Sequence, residues 1–322
     1  MMESSVPPRR SVCAVIVSYF PDMDILERQI LALERQVARI VVVDNGSPQA
    51  TVDRLETIAR GRDDVSVLSL GSNLGIAVAQ NQGIRLAFEA ADTHVLLLDQ
   101  DSVPSAHMVV GLLDATDALR GRGIALAAVG PMTVDRKTGE LGRFVRMRHG
   151  WVHQVRCVRG APPMDVDFLI ASGCLISVEA LRRLGLMRES FFIDHVDTEW
   201  CMRALRAGMR LYGICNAEIE HSLGEERRRI WFMRSRLVHV HEPLRDYYSV
   251  RNGVSLIRSR LMSMPMLVAF LVRLLAYVVF FSVVVPPRRE RLRMMVAGFR
   301  DALRNQGGMF APRRCSRARA AR

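Results

Sequence analysis

The sequence predicts an α/β domain built on a Rossmann-like, mostly parallel sheet covered by helices on both faces. Three observations carry that expectation. Short β-branched runs alternate with helix-period segments from Cys13 to Leu98. The strands are apolar without interruption, as in Val95-Leu96-Leu97-Leu98, so neither face is left for solvent. Turn signals such as Asp44-Asn45-Gly46-Ser47 fall where strands end.

Taken in order, Cys13–Ser18 opens the sheet, and a helix is expected over Asp24–Val37, where Ile25, Leu26, Ile30, Leu33 and Val37 recur near helical spacing. Ile40–Val43 is the second strand, Val52–Ala59 a helix and Val65–Leu70 the third strand. Asn73-Leu74-Gly75 turns into a helix over Ala77–Ala90, and Val95–Leu98 is the fourth strand. Further on, Ile124–Val129 reads as a strand, and the polar, arginine-rich stretch Asp135 to Pro163 as hairpin or loop. Phe168–Val178, with Ser172-Gly173 inside it, reads as another core strand. A short helix follows at Ser177–Leu184, then a longer one near Thr198–Ala207 stopped by Gly208, and a last short strand at Leu211–Ile214. No internal repeat is visible.

A chain of 322 residues suits one large domain, or one domain plus an appendage. At 49% hydrophobic and 24% charged it can bury a core, which excludes wholesale disorder. The net charge of +12 is carried almost wholly by arginine, Lys137 being the only lysine. Arg227-Arg228-Arg229 and the arginines from Arg288 onward concentrate it in the last third, beside the most apolar segment. That distribution points to an anionic membrane surface rather than a nucleic-acid groove, and no nucleic-acid partner is expected. The six cysteines form no C-x-x-C pair and no zinc spacing, so they are expected as free, buried hydrophobes in a reducing cytosol. Met1 to Arg10 holds no apolar signal core, so secretion is not expected.

The apolar segment, Met264 to Val285, is interrupted only by Pro265, Arg273 and Ser282. A bilayer span needs about 20 such residues, and a central arginine costs roughly 2.5–3.5 kcal/mol on insertion. A true span, a helix in the cytosolic interface and a shallow hairpin with Arg291–Leu303 all fit; a buried core helix is the bland alternative. The expected organisation is a disordered tail over 1–10, a catalytic domain over 11–225, a helical connector over 226–260, a membrane-associated helical segment over 261–305 and a disordered basic tail over 306–322.

Candidate chemistry centres on Asp99-Gln100-Asp101, at the carboxyl end of the fourth strand. Residues i and i+2 of an extended segment point the same way, so both carboxylates can meet one divalent cation that takes its other ligands from water and phosphates. Turn or capping aspartates are the plain alternative. Asp44, ending an earlier strand, suits the imide N–H of uracil or thymine, although Asp44–Ser47 is also an ordinary turn. Asp194, Asp197 and Glu199 crowd a helix start behind Phe191 and Phe192; a carboxylate held there can take a proton from a sugar hydroxyl, or merely cap the helix. His221 follows the last strand and can complete a cation's shell. Asn73, Gly75, Asn81 and Gly83 form a small-residue loop and helix start, with Asn45 at the earlier strand end; Gly75 lets backbone approach a ligand, and a structural turn explains it equally well. Arg251-Asn252 reads as a solvated helix face or a phosphate contact.

Five stretches in order resemble inverting family-2 glycosyltransferases of the GT-A fold, and among them bacterial rhamnosyltransferases of surface-polysaccharide assembly. They are Ile16–Pro21, Ile40–Ser47, Ser72–Gly83, Val95–Ser102 and Phe191–Arg203, with Phe168–Ser177 also fitting. The resemblance implies Asp44 as the base-reading acid, Asp99 near ribose and metal, Asp101 as the main ligand of Mg²⁺ or Mn²⁺, and His221 as a further ligand. It implies Asp197 as catalytic base, with Asp194 or Glu199 as substitutes, because the family's usual Glu-Asp pair reads Val196-Asp197 here. It further implies a nucleotide-sugar donor, dTDP-L-rhamnose, and a lipid-linked saccharide acceptor at the cytosolic membrane face, with oligomerisation open. The competing readings are a UDP-hexose or UDP-galactofuranose donor, and a non-catalytic membrane scaffold. A dinucleotide oxidoreductase is disfavoured because Ser18-Tyr19-Phe20-Pro21 stands where G-x-G-x-x-G would be needed.

Overall fold

The computed structural model describes residues 10–136, 138–148, 151–221, 227–232 and 234–311. The chain opens as β1 (Val12–Ser18), α1 (Met23–Leu33), β2 (Arg39–Asp44), α2 (Gln49–Ala59), β3 (Val65–Ser69), α3 (Ile76–Glu89) and β4 (His94–Asp99). It continues through β5 (Ser102–Pro104), α4 (Met108–Gly121), β6 (Leu126–Asp135), the hairpin β7 (Arg143–Arg148) and β8 (Trp151–Arg156), β9 (Met164–Val166) and β10 (Cys174–Ser177). Then come α5 (Val178–Leu184), α6 (Val196–Arg206), β11 (Arg210–His221), β12 (Arg227–Phe232) and β13 (Arg234–His239), and finally α7 (Pro243–Arg258), α8 (Met264–Val283) and α9 (Arg288–Leu303).

The main sheet runs β3-β2-β1-β4-β10-β6-β11-β5, with β9 on β11. β3, β2, β1 and β4 are mutually parallel, as expected, while β10 runs antiparallel between β4 and β6. Alternation along β1 feeds two cores. Cys13, Val15 and Val17 pack with Ala77, Ile84 and Trp200 on one face; Ala14 and Ile16 pack with Leu26, Ile30 and Leu112 on the other. Strand order reverses between β1 and β4, where Val17 is registered on Asp99. Open α/β sheets bind ligands at such a crevice beyond the strand ends.

Several expectations change. Phe168–Val178 is a strand only over Cys174–Ser177, because Gly173 adopts φ +84° and a Cβ there would lie 2.5 Å from the Pro131 ring. The last strand is far longer than Leu211–Ile214, reaching His221 across a register shift between Ile214 and Glu218. Cys157 and Cys215 are joined as a disulfide; Cys13, Cys174 and Cys201 are the buried free thiols expected. The 226–260 connector is not wholly helical: β12 and β13 pair antiparallel before α7 begins. Of the expected tails, 1–9 and 312–322 lie outside the described residues, but 306–311 is not loose. The Gly308 amide donates to the Ser190 carbonyl at 2.8 Å and the Phe310 amide to the Tyr248 hydroxyl at 2.9 Å.

Helices α7, α8 and α9 form a unit on the sheet's flank. At its centre Arg291 and Asp246, 2% and 0% exposed at the side chain, pair at 2.6 Å, and Tyr277 donates to Asp246 at 2.6 Å. So well-satisfied a buried pair holds its partners in one arrangement. Met264–Val283 is the one helix among the described residues long and apolar enough to cross a membrane, and 6% of its most apolar window is buried. It is therefore no core helix. Leu274, Tyr277 and Phe281 pack inward, while Val268, Val272, Leu275, Val279 and Val283 stand exposed at helical spacing. Leu292, Val296, Phe299 and Leu303 make a second exposed stripe on α9.

His94 supplies a pH test of this fold. Burial, then the nearby Arg120, lowers its imidazole from 6.5 to about 4. A histidine held neutral in the folded state stabilises above its unfolded value and loses that contribution as pH falls from 6.5 towards 4. His94→Gln is expected to flatten the decline of melting temperature across that window, as measured by scanning calorimetry from pH 7 to 4.

Candidate active site

A cleft of about 710 Å³ opens at the switch point. Its lining brings together Asn45, Asn73, Gly75, Asp99, Asp101, Asp194 and Asp197, the residues contributed by four separate stretches of chain. β4 delivers the Asp99 pair. Gln100 between them clamps the backbone of Tyr19, accepting from its amide at 2.6 Å and donating to its carbonyl at 3.1 Å. Gln29 donates to the Asp99 carbonyl at 2.8 Å. The two carboxylates thus sit at and just past the end of β4, braced by the turn after β1 and by α1. Among the described residues no group of three or more His, Cys, Asp and Glu side chains forms a ready metal cage. Backbone register sets His221 opposite Ser102, one residue from Asp101; its side chain lies outside the described residues.

Asp44 is fully buried and does not line the cleft. Its carboxylate accepts from Ser18 Oγ at 3.3 Å, the Gly46 amide at 3.1 Å and the Ser47 amide at 2.9 Å. The polar groups that face the cleft beside it are Asn45 and Asn73, joined at 3.1 Å. Gly75 is forced by packing: φ is +93° and a Cβ would lie 2.6 Å from the Phe192 ring, while the Ile76 amide bonds the Phe192 carbonyl at 2.7 Å. Asn81 does not reach the cleft. Its amide is spent on the Met187 backbone in both directions, at 2.8 and 2.9 Å, and on Glu189. Gly83 belongs to the same helix packing, with a Cβ there 2.3 Å from Val15.

The three acids near α6 separate by environment. Glu199 is buried and paired with Arg203 at 2.9 Å, whose guanidinium also caps the Leu184 and Leu186 carbonyls; that pair is architectural. Asp194 is paired with Arg245 at 2.6 Å and accepts from Ser249 at 3.2 Å. Asp197 forms no ion pair among the described residues and accepts from the Thr198 amide at 2.7 Å. Burial first, and then the field of Asp99, pushes its carboxyl up from 3.8 to about 6, against the Thr198 bond. A cation in the cleft would relieve the repulsion between Asp197 and Asp99.

The chain into α6 is strained. Phe192, Asp194 and His195 all have φ between 61° and 63°, conformations that cost non-glycine residues on the order of 1–3 kcal/mol each. What holds them is α7. Asn252, fully buried, places Nδ2 2.7–2.9 Å from the carbonyls of Phe191, Ile193 and Asp194. Arg251, 1% exposed, donates to Ser190, Phe191 and Gly308 carbonyls. Arg251-Asn252 is thus neither a solvated face nor a phosphate contact. Asn252→Ala is expected to lower kcat about 10–100-fold with nucleotide affinity kept, since only the acidic loop loses its support; steady-state kinetics beside nucleotide titration check this.

Sequence reasoning passed over Tyr19, Gln100, His195, His241 and Arg245, all of which line the cleft. Gln100 was legible in principle, standing between the two acids. Arg245 was not, because its place depends on how α7 docks.

A mostly parallel sheet with paired carboxylates at its switch point and an acidic helix start facing them defines a nucleotide-sugar transferase architecture. The family model for glycosyl transferase family 2 matches residues 14–184, and the chain belongs to that family; it is a glycosyltransferase. It is 32% identical over 249 residues to the dTDP-rhamnosyl transferase RfbF of Shigella flexneri, covering 77% of this chain and 80% of that one. Among solved structures, S. aureus TarS 1-349 matches with TM-score 0.58 at 15% identity, over 91% of this chain and 80% of its own. GalNAc-T7 with UDP, GalNAc and Mn²⁺ matches with TM-score 0.58 at 14% identity, and this chain spans 56% of its length. These structures establish the shared GT-A fold.

Proposed function

We propose that the protein transfers L-rhamnose from dTDP-L-rhamnose, with inversion, to a hydroxyl of a lipid-linked saccharide in surface-polysaccharide synthesis. The observation that carries this is Asp197: a carboxylate without an ion-pair partner among the described residues, raised to about 6, facing the Asp99–Asp101 edge across one cleft. The similarity to RfbF supports the donor, and the sheet edge at Asn45 and Asn73 is where its nucleoside would lie.

Asp197 takes the proton of the acceptor hydroxyl as that oxygen attacks the anomeric carbon from the side opposite the diphosphate. One displacement follows, and inversion with it. Asp99 and Asp101 fit a Mg²⁺ or Mn²⁺ that draws its remaining ligands from water and the diphosphate, with His221 as a further candidate ligand. Such an ion supplies charge neutralisation of the departing nucleoside diphosphate. Arg245 holds Asp194 and so keeps a second carboxylate from competing for the proton.

On this proposal the protein lies on the cytosolic face of the membrane, with the exposed stripes of α8 and α9 in the interface and the exposed Arg288, Arg289 and Arg293 at the anionic surface. A panel of dTDP-L-rhamnose, UDP-glucose and UDP-galactofuranose, each incubated with membrane extract, tests the donor. Release of nucleoside diphosphate from dTDP-L-rhamnose is expected; turnover of a UDP-sugar alone would overturn the choice.

A further inference from the structure

Beside the cleft, and sharing its Asp194 and His195 walls, lies a second cavity of about 380 Å³. Its lining is largely apolar, with Phe168, Met202, Met266, Phe270 and Leu274 prominent, and α8 supplies one whole wall. Arg273 of α8 also borders it. This is the charge that interrupts the apolar segment, and it stands exposed at the cavity's edge.

No hydrogen bond or ion pair to another described residue engages Arg273. The acids that share its cavity are committed elsewhere: Asp194 to Arg245 and Ser249, and Asp167 to the Met147 amide. His195 shares the cavity; burial lowers its imidazole, with Asp194 opposing that shift and Arg273 adding to it. An uncommitted guanidinium at the mouth of an apolar cavity is complementary to an amphiphile whose anionic group adjoins an apolar chain. Guanidinium binds phosphate oxygens in a fork geometry and tolerates partial desolvation better than ammonium does.

We infer that this cavity is an acceptor subsite for a phosphate- or diphosphate-linked lipid. Its anionic group lies at Arg273 and its first apolar units lie against Met266, Phe270 and Leu274. The attached sugar reaches the cleft past His195. This rests on the transferase reading of the cleft and adds to it the chemistry by which the acceptor is held.

The test uses the full chain in detergent micelles and a polyprenyl diphosphate bearing one sugar, with the octyl glycoside of the same sugar as a neutral control. Wild type is expected to bind the diphosphate lipid, Arg273→Ala to weaken it about tenfold or more, and Arg273→Lys to recover part of the loss. Octyl glycoside and nucleoside diphosphate affinities are expected to be the same in all three, which also certifies folding. Undiminished lipid binding by Arg273→Ala overturns the inference, as does a wild type that ignores the diphosphate lipid. An equal loss of attachment to phosphatidylglycerol vesicles makes Arg273 a surface contact and overturns it too. Failure to turn over any nucleotide sugar would instead strike the transferase reading, leaving the lipid result standing.

Discussion

Asp197→Asn is expected to lower kcat by about 10²–10⁴-fold while leaving nucleotide affinity within about twofold. Asparagine keeps the shape and can still accept from the Thr198 amide, so the loss isolates proton transfer. The pH profile gives an independent reading. A carboxyl raised to about 6 is protonated below that value, so kcat/KM of the wild type should fall about tenfold per unit as pH drops through it. A cation beside Asp99 would relieve the repulsion and move the limb lower. In the variant the acid limb should vanish. Stability should move the other way: ionising a buried carboxyl above pH 6 costs the folded state, so Asp197→Asn should melt no lower than wild type at pH 8. A variant with unchanged kcat would remove Asp197 from the chemistry.

Chelation is expected to abolish transfer, and Asp101→Ala to cost about 10³-fold or more, with Asp99→Ala the milder of the two. The ranking follows from the family resemblance, in which Asp101 is the main ligand. Asp99 is the last residue of β4, its carbonyl engaged by Gln29, and Asp101 follows the Gln100 clamp; both line the cleft. Turnover with EDTA, restored by Mg²⁺ or Mn²⁺, is the direct measurement; nucleoside diphosphate titration with and without the ion separates binding from rate. Full activity in EDTA would end the metal reading.

The parallel half of the sheet was readable because β1 to β4 are buried on both faces, and burial on both faces leaves an uninterrupted apolar run. Phe168–Val178 misled for the same reason: Leu169, Ser172 and Cys174 are all buried, yet the bend at Gly173 is fixed by Pro131 of the neighbouring β6, far earlier in the chain. At the site, the aspartates announced themselves by position at strand ends. What separates Glu199 from Asp197 was half legible, since Glu199 and Arg203 stand four apart on one helix face. Asn81 and Arg251-Asn252 were not legible, because their partners, Met187 and Phe191–Asp194, lie 58 to 106 positions away. The same holds for the Cys157–Cys215 bridge, 58 residues apart.

Asp246, which anchors the buried junction with Arg291 of α9 and Tyr277 of α8, and Asn252, which clamps the acidic loop, stand on one helix, α7. Six residues separate Asp246 from Asn252, about 9 Å along the axis. If the α8–α9 stripes rest on a bilayer, as proposed above, α7 ties that surface to the acidic loop, and the centre would then select by reach, serving hydroxyls near the anchored end of a glycan.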